Sequence, residues 1–235
     1  MMILVLAGGL GTRLQSVLAT VPKALAPVGN VPFLQLQIEH WKSQGVNSFV
    51  FLLHHQADLI ISFLQKQASG FLKDCTVQWV VEPVPMDTGG AVAFAVKQLG
   101  LVGDFLVTNA DTWVGAGCQE VFQSHTPAMG VVELAETIRY GQVQMSENNF
   151  VISFREKDSC RGAGWINAGL CHLSAELFIN WNLQPFSLER ISFPAWAACG
   201  NLKAVALKTD FIDIGVPDDY FRFCRWIESG KKVKL

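Results

Sequence analysis

Two aspartates stand in surroundings that make them candidates for chemistry. Asp111 follows the strand-like run Phe105-Leu106-Val107-Thr108-Asn109-Ala110, and Asp213 lies within Phe211-Ile212-Asp213-Ile214-Gly215. A carboxylate inside an apolar run is costly unless it is paired or metal-bound. A metal site and a capped or salt-bridged Asp both meet that condition. Near the start, Leu6-Ala7-Gly8-Gly9-Leu10-Gly11-Thr12-Arg13 forms a glycine-rich segment. Glycines let backbone approach a nucleotide closely, and free N–H groups cradle phosphates. A dinucleotide fingerprint beginning at Gly9 requires glycine at position 14, which is Leu14. The Gly-Lys-Ser/Thr of a Walker A loop is absent. A ligand loop of another kind and a bare βα turn stay open on these residues alone. Arg13 is permanently cationic and able to hold phosphates bidentately, and Lys23 supplies a point charge after Pro22. Either cation, taken alone, is usually just a solvated surface group. His54 and His55 are adjacent at a strand end, so their side chains diverge rather than share a metal. Trp113, two residues after Asp111, belongs either to the core or against a sugar.

The elements that must position these groups follow from hydrophobic period. Met2–Leu6, Ser48–Leu53, Thr76–Val81 and Phe105–Thr108 are apolar runs of strand length. Between them, Phe33, Leu34, Ile38 and Trp41 repeat at helical spacing with Gly45 as a stop, as do Leu59, Ile60, Phe63 and Leu64. A further helix spans Thr88–Leu99. This alternation predicts an α/β fold: a single-domain, doubly wound, mostly parallel sheet. The second half changes texture. Met129–Leu134, Gly141–Met145 and Val151–Phe154 are strands with no helix between them. Short helices near Ala175–Trp181 and Leu188–Cys199, a strand at Leu202–Leu207 and an amphipathic helix at Asp218–Glu228 complete the chain. The expected organisation is one domain, 1–235, with residues 1–112 mainly binding nucleotide and 113–235 forming a mixed, partly antiparallel half.

Composition narrows the partners. The chain has 235 residues, half of them hydrophobic, 16% charged, with net charge −2. That balance offers no basic surface for nucleic acid or an anionic membrane. The low charge and seven Trp suit a chain that hides surface in a homo-oligomer. The first residues lack the basic n-region and apolar stretch of a signal peptide, and no run reaches the roughly 18 apolar residues of a membrane span. Six cysteines without CxxC or CxH spacing point to free thiols and a cytoplasmic protein.

The run GGLGTRLQSVLATVPKALAPVG resembles the GGxGTRL…PK signature of the sugar-phosphate nucleotidyltransferase family. Similar motifs follow in the family's order over nearly the whole chain. These are Glu82-Pro83 with Asp87-Thr88-Gly89-Gly90-Ala91, Asn109-Ala110-Asp111, Arg139-Tyr140-Gly141, Phe154-Arg155-Glu156-Lys157, Ile166-Asn167-Ala168-Gly169 and Phe211-Ile212-Asp213-Ile214-Gly215-Val216-Pro217. VPKALAPV, RYGQV, FREK, FSLE and FIDIGVPDDY resemble, within that family, the D-glycero-α-D-manno-heptose-1-phosphate guanylyltransferases. The resemblance implies a Rossmann-like nucleotidyltransferase fold. It implies an enzyme joining an NTP, here GTP, to a sugar 1-phosphate with release of pyrophosphate and with Mg²⁺ as cofactor. Arg13, Lys23, Asp111 and Asp213 would be catalytic, the two aspartates holding the metal. Leu6, Ala7, Gly8, Gly9, Gly11, Thr12, Arg13, Glu82, Asp87, Thr88 and Gly89 would bind nucleotide. Asn109, Gly141, Glu156, Lys157 and Asn167 would bind the sugar phosphate, Lys157 meeting its phosphate. The product would feed a bacterial heptose-containing capsule, S-layer or lipopolysaccharide. Mannose-1-phosphate guanylyl transfer, amino-sugar uridylyl transfer and a non-catalytic sugar-nucleotide-binding module are the competing functions. The family often carries glycine where this chain has Asp87, which here would cap a helix beginning at Thr88 or meet a guanine edge.

Overall fold

A computed structural model describes residues 1–14, 17–18, 21–155 and 162–230. The first half is built on β1 (Met2–Leu6), whose Ile3, Leu4 and Val5 are fully buried. It is followed by a short hairpin, β2 (Pro27–Val28) and β3 (Val31–Pro32), then α1 (Phe33–Ser43), β4 (Ser48–Leu53), α2 (Ala57–Gln67), β5 (Thr76–Val81), α3 (Asp87–Leu99) and β6 (Asp104–Asn109). β1 runs parallel to β4 on one side and β6 on the other, and β5 extends the sheet in parallel with β4. Strand side chains alternate between faces. Ile3 and Val5 therefore join Leu34, Ile38, Ile60 and Leu64 of α1 and α2 in one core layer, while Leu4 joins Ala91, Val92 and Ala95 of α3 in the other. Both faces are covered, which is why β1 is continuously aliphatic rather than alternating.

The second half comprises β7 (Thr112–Val114), α4 (Cys118–Phe122), β8 (Ala128–Leu134), β9 (Gln142–Met145), β10 (Val151–Arg155), β11 (Gly164–Ser174), α5 (Phe193–Ala198), β12 (Lys203–Ala206), β13 (Phe211–Asp213) and α6 (Pro217–Glu228). Among the described residues the main sheet has nine strands in the order β10-β9-β11-β6-β1-β4-β5, with β8 on the free side of β11 and β12 beside β8. β11 is the hinge between halves. Its end, Leu170–Ser174, lies antiparallel to β6, and its beginning, at Trp165 and Ile166, pairs with β9. The pairing of β11 with β8 shifts register between Asn167 and Cys171, and Gly169 in that interval has φ +71°. Such a bulge bends a strand beside a site.

The strands expected from apolar runs are present, and the sheet is the mostly parallel, doubly wound kind with an antiparallel extension. The helix expected near Ala175–Trp181 is a 3₁₀ turn at Ala175–Phe178. The second expected helix opens as a π turn, Leu188–Ser192, before α5. A third apolar cluster joins Leu14, Phe33, Trp113, Ile212, Tyr220 and Phe223, packing α6 beneath the glycine-rich segment. No helix among the described residues is long and apolar enough to cross a membrane.

Candidate active site

A cleft of about 540 Å³ opens where β1 and β6 end. This is the carboxyl edge of the parallel strands, where open α/β sheets bind ligands. The glycine-rich segment forms one wall. Ala7 N–H donates to Leu52 O at 2.9 Å, carrying the β1 pairing one step past the strand. A β-carbon at Gly8 would lie 3.1 Å from Glu82 Oε1 and 3.2 Å from the His54 nitrogen, so the loop passes close against the ends of β4 and β5. The segment then turns through Gly11, at φ +62°, into a 3₁₀ turn, Thr12–Leu14. Leu14 is buried and anchors that turn, which leaves Arg13 exposed along the cleft. Thr12 is exposed and does not line the cleft.

The charged centre gathers at the ends of β6 and β13, with Lys23 set against Gly11. β7 and β13 form a two-stranded antiparallel ribbon in which Asp213 pairs with Thr112, and Ile214 N–H donates to Asp111 O at 2.9 Å. Backbone pairing thus sets the two sequence-distant aspartates side by side. Lys23 Nζ lies 2.5 Å from Asp111 Oδ2. Gly215 N–H donates to Asp213 Oδ1 at 2.7 Å, and Arg139 Nη2 stands 4.0 Å from Asp213 Oδ2. Burial, followed by the Asp111 charge, pushes Asp213 above the usual aspartate range; Lys23, the Gly215 N–H and Arg139 oppose that shift. Burial and the like charge of Asp111 make it costly to keep both carboxylates ionised, a cost that a bound cation would reduce. The donor set fits a hard divalent ion that takes its remaining oxygens from phosphate and water. No cluster of three or more His, Cys, Asp or Glu exists among the described residues, so this pair is not a closed metal cage.

Beside the glycine-rich segment, Glu82 is buried, its Oε2 accepts Met86 N–H at 2.8 Å, and burial raises its pKa. His54 Nδ1 contacts Glu82 O at 2.9 Å. Asp87 adopts φ +60°, the left-handed region in which glycine is at ease. α3 begins at Asp87 itself, and the usual capping bond to an N–H two or three residues on is not made. Instead Asp87 Oδ1 accepts Thr88 N–H at 2.9 Å and Oδ2 pairs with Arg190. Thr88 Oγ1 and Ser187 Oγ both donate to Glu189 Oε2, at 2.5 and 2.8 Å. The N–H groups of Gly89 and Gly90 both donate to Phe186 O, and the Phe186 ring covers Gly89. Gly89 is therefore a packing position and does not line the cleft, whereas Asp87 and Thr88 do.

Toward the second half, Asn109, Gly141 and Asn167 line the same cleft. Asn167 N–H donates to Gly141 O at 3.0 Å, and its side chain accepts Gly169 N–H at 2.9 Å, holding the bulge of β11. Gly141 has Phe154 packed against it; a β-carbon there would meet the ring at 2.7 Å. Glu156 and Lys157 lie outside the described residues. Trp113 is core, stacked on His40 at 4.4 Å and packed against Phe223 and Trp226. The structure adds His54, Arg139, Tyr140, Glu189 and Arg190 to the cleft wall. Arg139-Tyr140 and Glu189 sit inside family-like motifs, which is the signal that marks them; His54 and Arg190 carry none.

Comparison with known proteins places this geometry. Residues 2–229 match the family model described as nucleotidyl transferase. The chain is 31% identical over 228 residues to a D-glycero-α-D-manno-heptose 1-phosphate guanylyltransferase of Campylobacter jejuni, covering 95% of this chain and 98% of that protein. It is 33% identical over 240 residues to a probable mannose-1-phosphate guanylyltransferase of Oryza sativa, of which it spans 65%. Among solved structures it matches HddC from Yersinia pseudotuberculosis, with TM-score 0.84, 33% identity and coverage of 96% of this chain and 99% of that one. HddC complexed with GMP-PN matches with TM-score 0.82 and 32% identity, over 96% of this chain and 99% of that one.

Proposed function

The chain belongs to the nucleotidyl transferase family, and from that premise we propose that it condenses GTP with D-glycero-α-D-manno-heptose 1-phosphate, releasing pyrophosphate and GDP-heptose. The observation that carries the reading is the meeting of Lys23, Asp111 and Asp213 in the same cleft as Arg13 and the glycine-rich segment. The likeness to a D-glycero-α-D-manno-heptose 1-phosphate guanylyltransferase along almost its full length, and to HddC complexed with GMP-PN, supports the choice of nucleotide and sugar.

The attacking group is a phosphate oxygen of the sugar 1-phosphate, already anionic, so no general base is required. It bonds to the α-phosphorus of the nucleotide, and the bond to the pyrophosphate oxygen breaks. Catalysis then rests on holding the reactants in line and meeting the charge that gathers on the phosphates. Backbone N–H groups of the glycine-rich segment and Arg13 suit the β- and γ-phosphates. Lys23, only 13% exposed, brings its ammonium beside Asp111. Asp111 and Asp213 would hold Mg²⁺, which supplies charge neutralisation of the phosphate oxygens. Asn109, Gly141 and Asn167 face the space left for the sugar.

The test is pyrophosphate release from a panel of four NTPs against heptose, mannose, glucose and amino-sugar 1-phosphates, with Mg²⁺ and with EDTA. GTP with heptose 1-phosphate is expected to give the highest kcat/KM. The relationship to plant mannose-1-phosphate guanylyltransferase supports a second reading, in which mannose 1-phosphate takes first place. Equal use of the four nucleotides, or preference for UTP, would refute the guanylyl assignment.

A further inference from the structure

Asp213 is joined to the outer face of the protein by a row of alternating charges drawn from segments far apart in the chain. Arg139, in the turn between β8 and β9, pairs through Nη1 with Asp219 Oδ2 on α6. Asp219 is nearly buried, and its second oxygen takes Arg222 Nη2 at 3.0 Å from one turn further along α6. The other arm of the guanidinium, Nη2, is sealed from solvent and has no hydrogen-bond partner among the described residues. The carboxylate oxygen in its reach is Asp213 Oδ2, at 4.0 Å. The remaining Asp213 oxygen is already held by Gly215 N–H. α6 is itself fixed: Tyr220, next to Asp219, donates its hydroxyl to Pro27 O, and Phe223 is fully buried against Phe33 and Trp113.

We propose that Arg139 and Asp219 are positioning residues for Asp213. Asp219 fixes the guanidinium from behind, and Arg139 closes the short gap to Asp213 Oδ2 when that carboxylate takes up its working position. Asp213 is then oriented by a donor on each oxygen, with its remaining lone pairs left toward Asp111. A buried guanidinium N–H without an acceptor is destabilising, so the arrangement favours the conformer in which the gap closes. The planar guanidinium fork suits this role, because one arm is anchored, the other acts, and their relative geometry is rigid. The inference rests on the carboxylate-pair reading of the site given above, and it makes α6 part of that site although none of its residues lines the cleft.

Partners of this kind behind a metal ligand change affinity or turnover by about 10–100-fold when removed. The test uses Mn²⁺ alone as probe, its free concentration counted by electron paramagnetic resonance, together with steady-state kinetics. Asp219→Asn keeps side-chain volume and a hydrogen-bonding group. It is expected to weaken Mn²⁺ binding by about 10-fold or more and to lower kcat by a similar factor, with KM for both substrates within about threefold. Arg139→Gln should do the same, and Arg139→Lys should recover part of the loss. The double variant Asp219→Asn/Arg139→Gln should bind Mn²⁺ no worse than Arg139→Gln alone, because Asp219 acts only through Arg139. Unchanged Mn²⁺ affinity and kcat in Asp219→Asn would overturn the proposal, and so would additive losses in the double variant. If Arg139→Gln does not fold, Asp219→Asn decides the matter by the same two measurements. Mn²⁺ binding that Asp213→Asn leaves untouched would be a separate result, removing the carboxylate-pair site and the proposal with it.

Discussion

Replacing Asp213 by Asn should make the protein more stable and less active, and the gain should depend on pH in a defined direction. Burial and the neighbouring Asp111 hold the Asp213 carboxyl above its ordinary range, outweighing Lys23, Gly215 N–H and Arg139. A group whose folded pKa is raised contributes stability that is fully present below its unfolded value, about 3.9 for Asp, and is lost as pH rises through the folded value. Asn does not titrate and retains an oxygen for Gly215 N–H. The difference between variant and parent should therefore be small at the acid end, then grow as pH passes the raised Asp213 value and level off above it. Each pH unit of displacement corresponds to about 1.4 kcal/mol, and Asp213 is only 21% exposed, so solvent screening takes little of it. Each kcal/mol of gain moves Tm by about 2–4 °C in a domain of this size. Differential scanning calorimetry in EDTA, at pH 4 and pH 7.5, measures it. Turnover of the same variant should fall at least about 10²-fold, since it loses a carboxylate of the pair. Adding Mn²⁺ should then raise Tm of the parent and not of the variant. A lower Tm for Asp213→Asn at pH 7.5 in EDTA, or a gain of equal size at both pH values, would refute the reasoning.

Other outcomes follow from the same geometry. Arg13→Ala and Lys23→Ala should each reduce kcat/KM by about 10²-fold or more, and Arg13→Lys should recover little of it because the bidentate fork is lost; near-normal kinetics in both alanine variants would move phosphate binding elsewhere. GTP should exceed ATP by up to roughly 10⁴-fold in kcat/KM, as a site built around specific hydrogen bonds allows. Asp87→Ser should keep that preference, because Thr88 N–H and Arg190 already engage the carboxylate; collapse of the preference in competition assays would assign Asp87 to the base. Gly89→Ala forces a methyl into the Phe186 ring and should cost about 1–3 kcal/mol in urea titrations, with Gly89→Ala/Phe186→Ala recovering part of it.

Local pattern makes the parallel half of the fold legible, because β1, β4, β5 and β6 are apolar runs and α1, α2 and α3 have helical period. β11 escapes it. Its alternation holds only to Leu170 and gives way to a continuously buried run, Leu170–Leu173, and the bulge at Gly169 resets the register partway along. β7 and β13 are three residues each, too short to carry a period, and they acquire meaning only when paired. The aspartates are visible as carboxylates in apolar runs, but their adjacency comes from that pairing. Asp87 ahead of a helix has the local signature of a cap; its left-handed φ and its pairing with Arg190, more than a hundred residues away, are contained in no local pattern. For Trp113, two residues after Asp111, the sequence favours the core but leaves the site open, and the structure turns the indole into the cluster under α6.

The β7–β13 ribbon also has a meaning in time. A ribosome delivers Asp111 long before Asp213, and closing a loop of that size is entropically slow compared with forming the local contacts of the parallel half. The nascent chain can arrange its glycine-rich segment and most of its sheet while still lacking half of its carboxylate pair. On the carboxylate-pair assignment proposed above, turnover is expected to switch on only when Phe211–Asp213 docks beside Thr112–Val114. Recovery of activity after dilution from denaturant should lag behind recovery of helical circular dichroism by the time that docking takes, which makes the enzyme its own reporter of finished assembly.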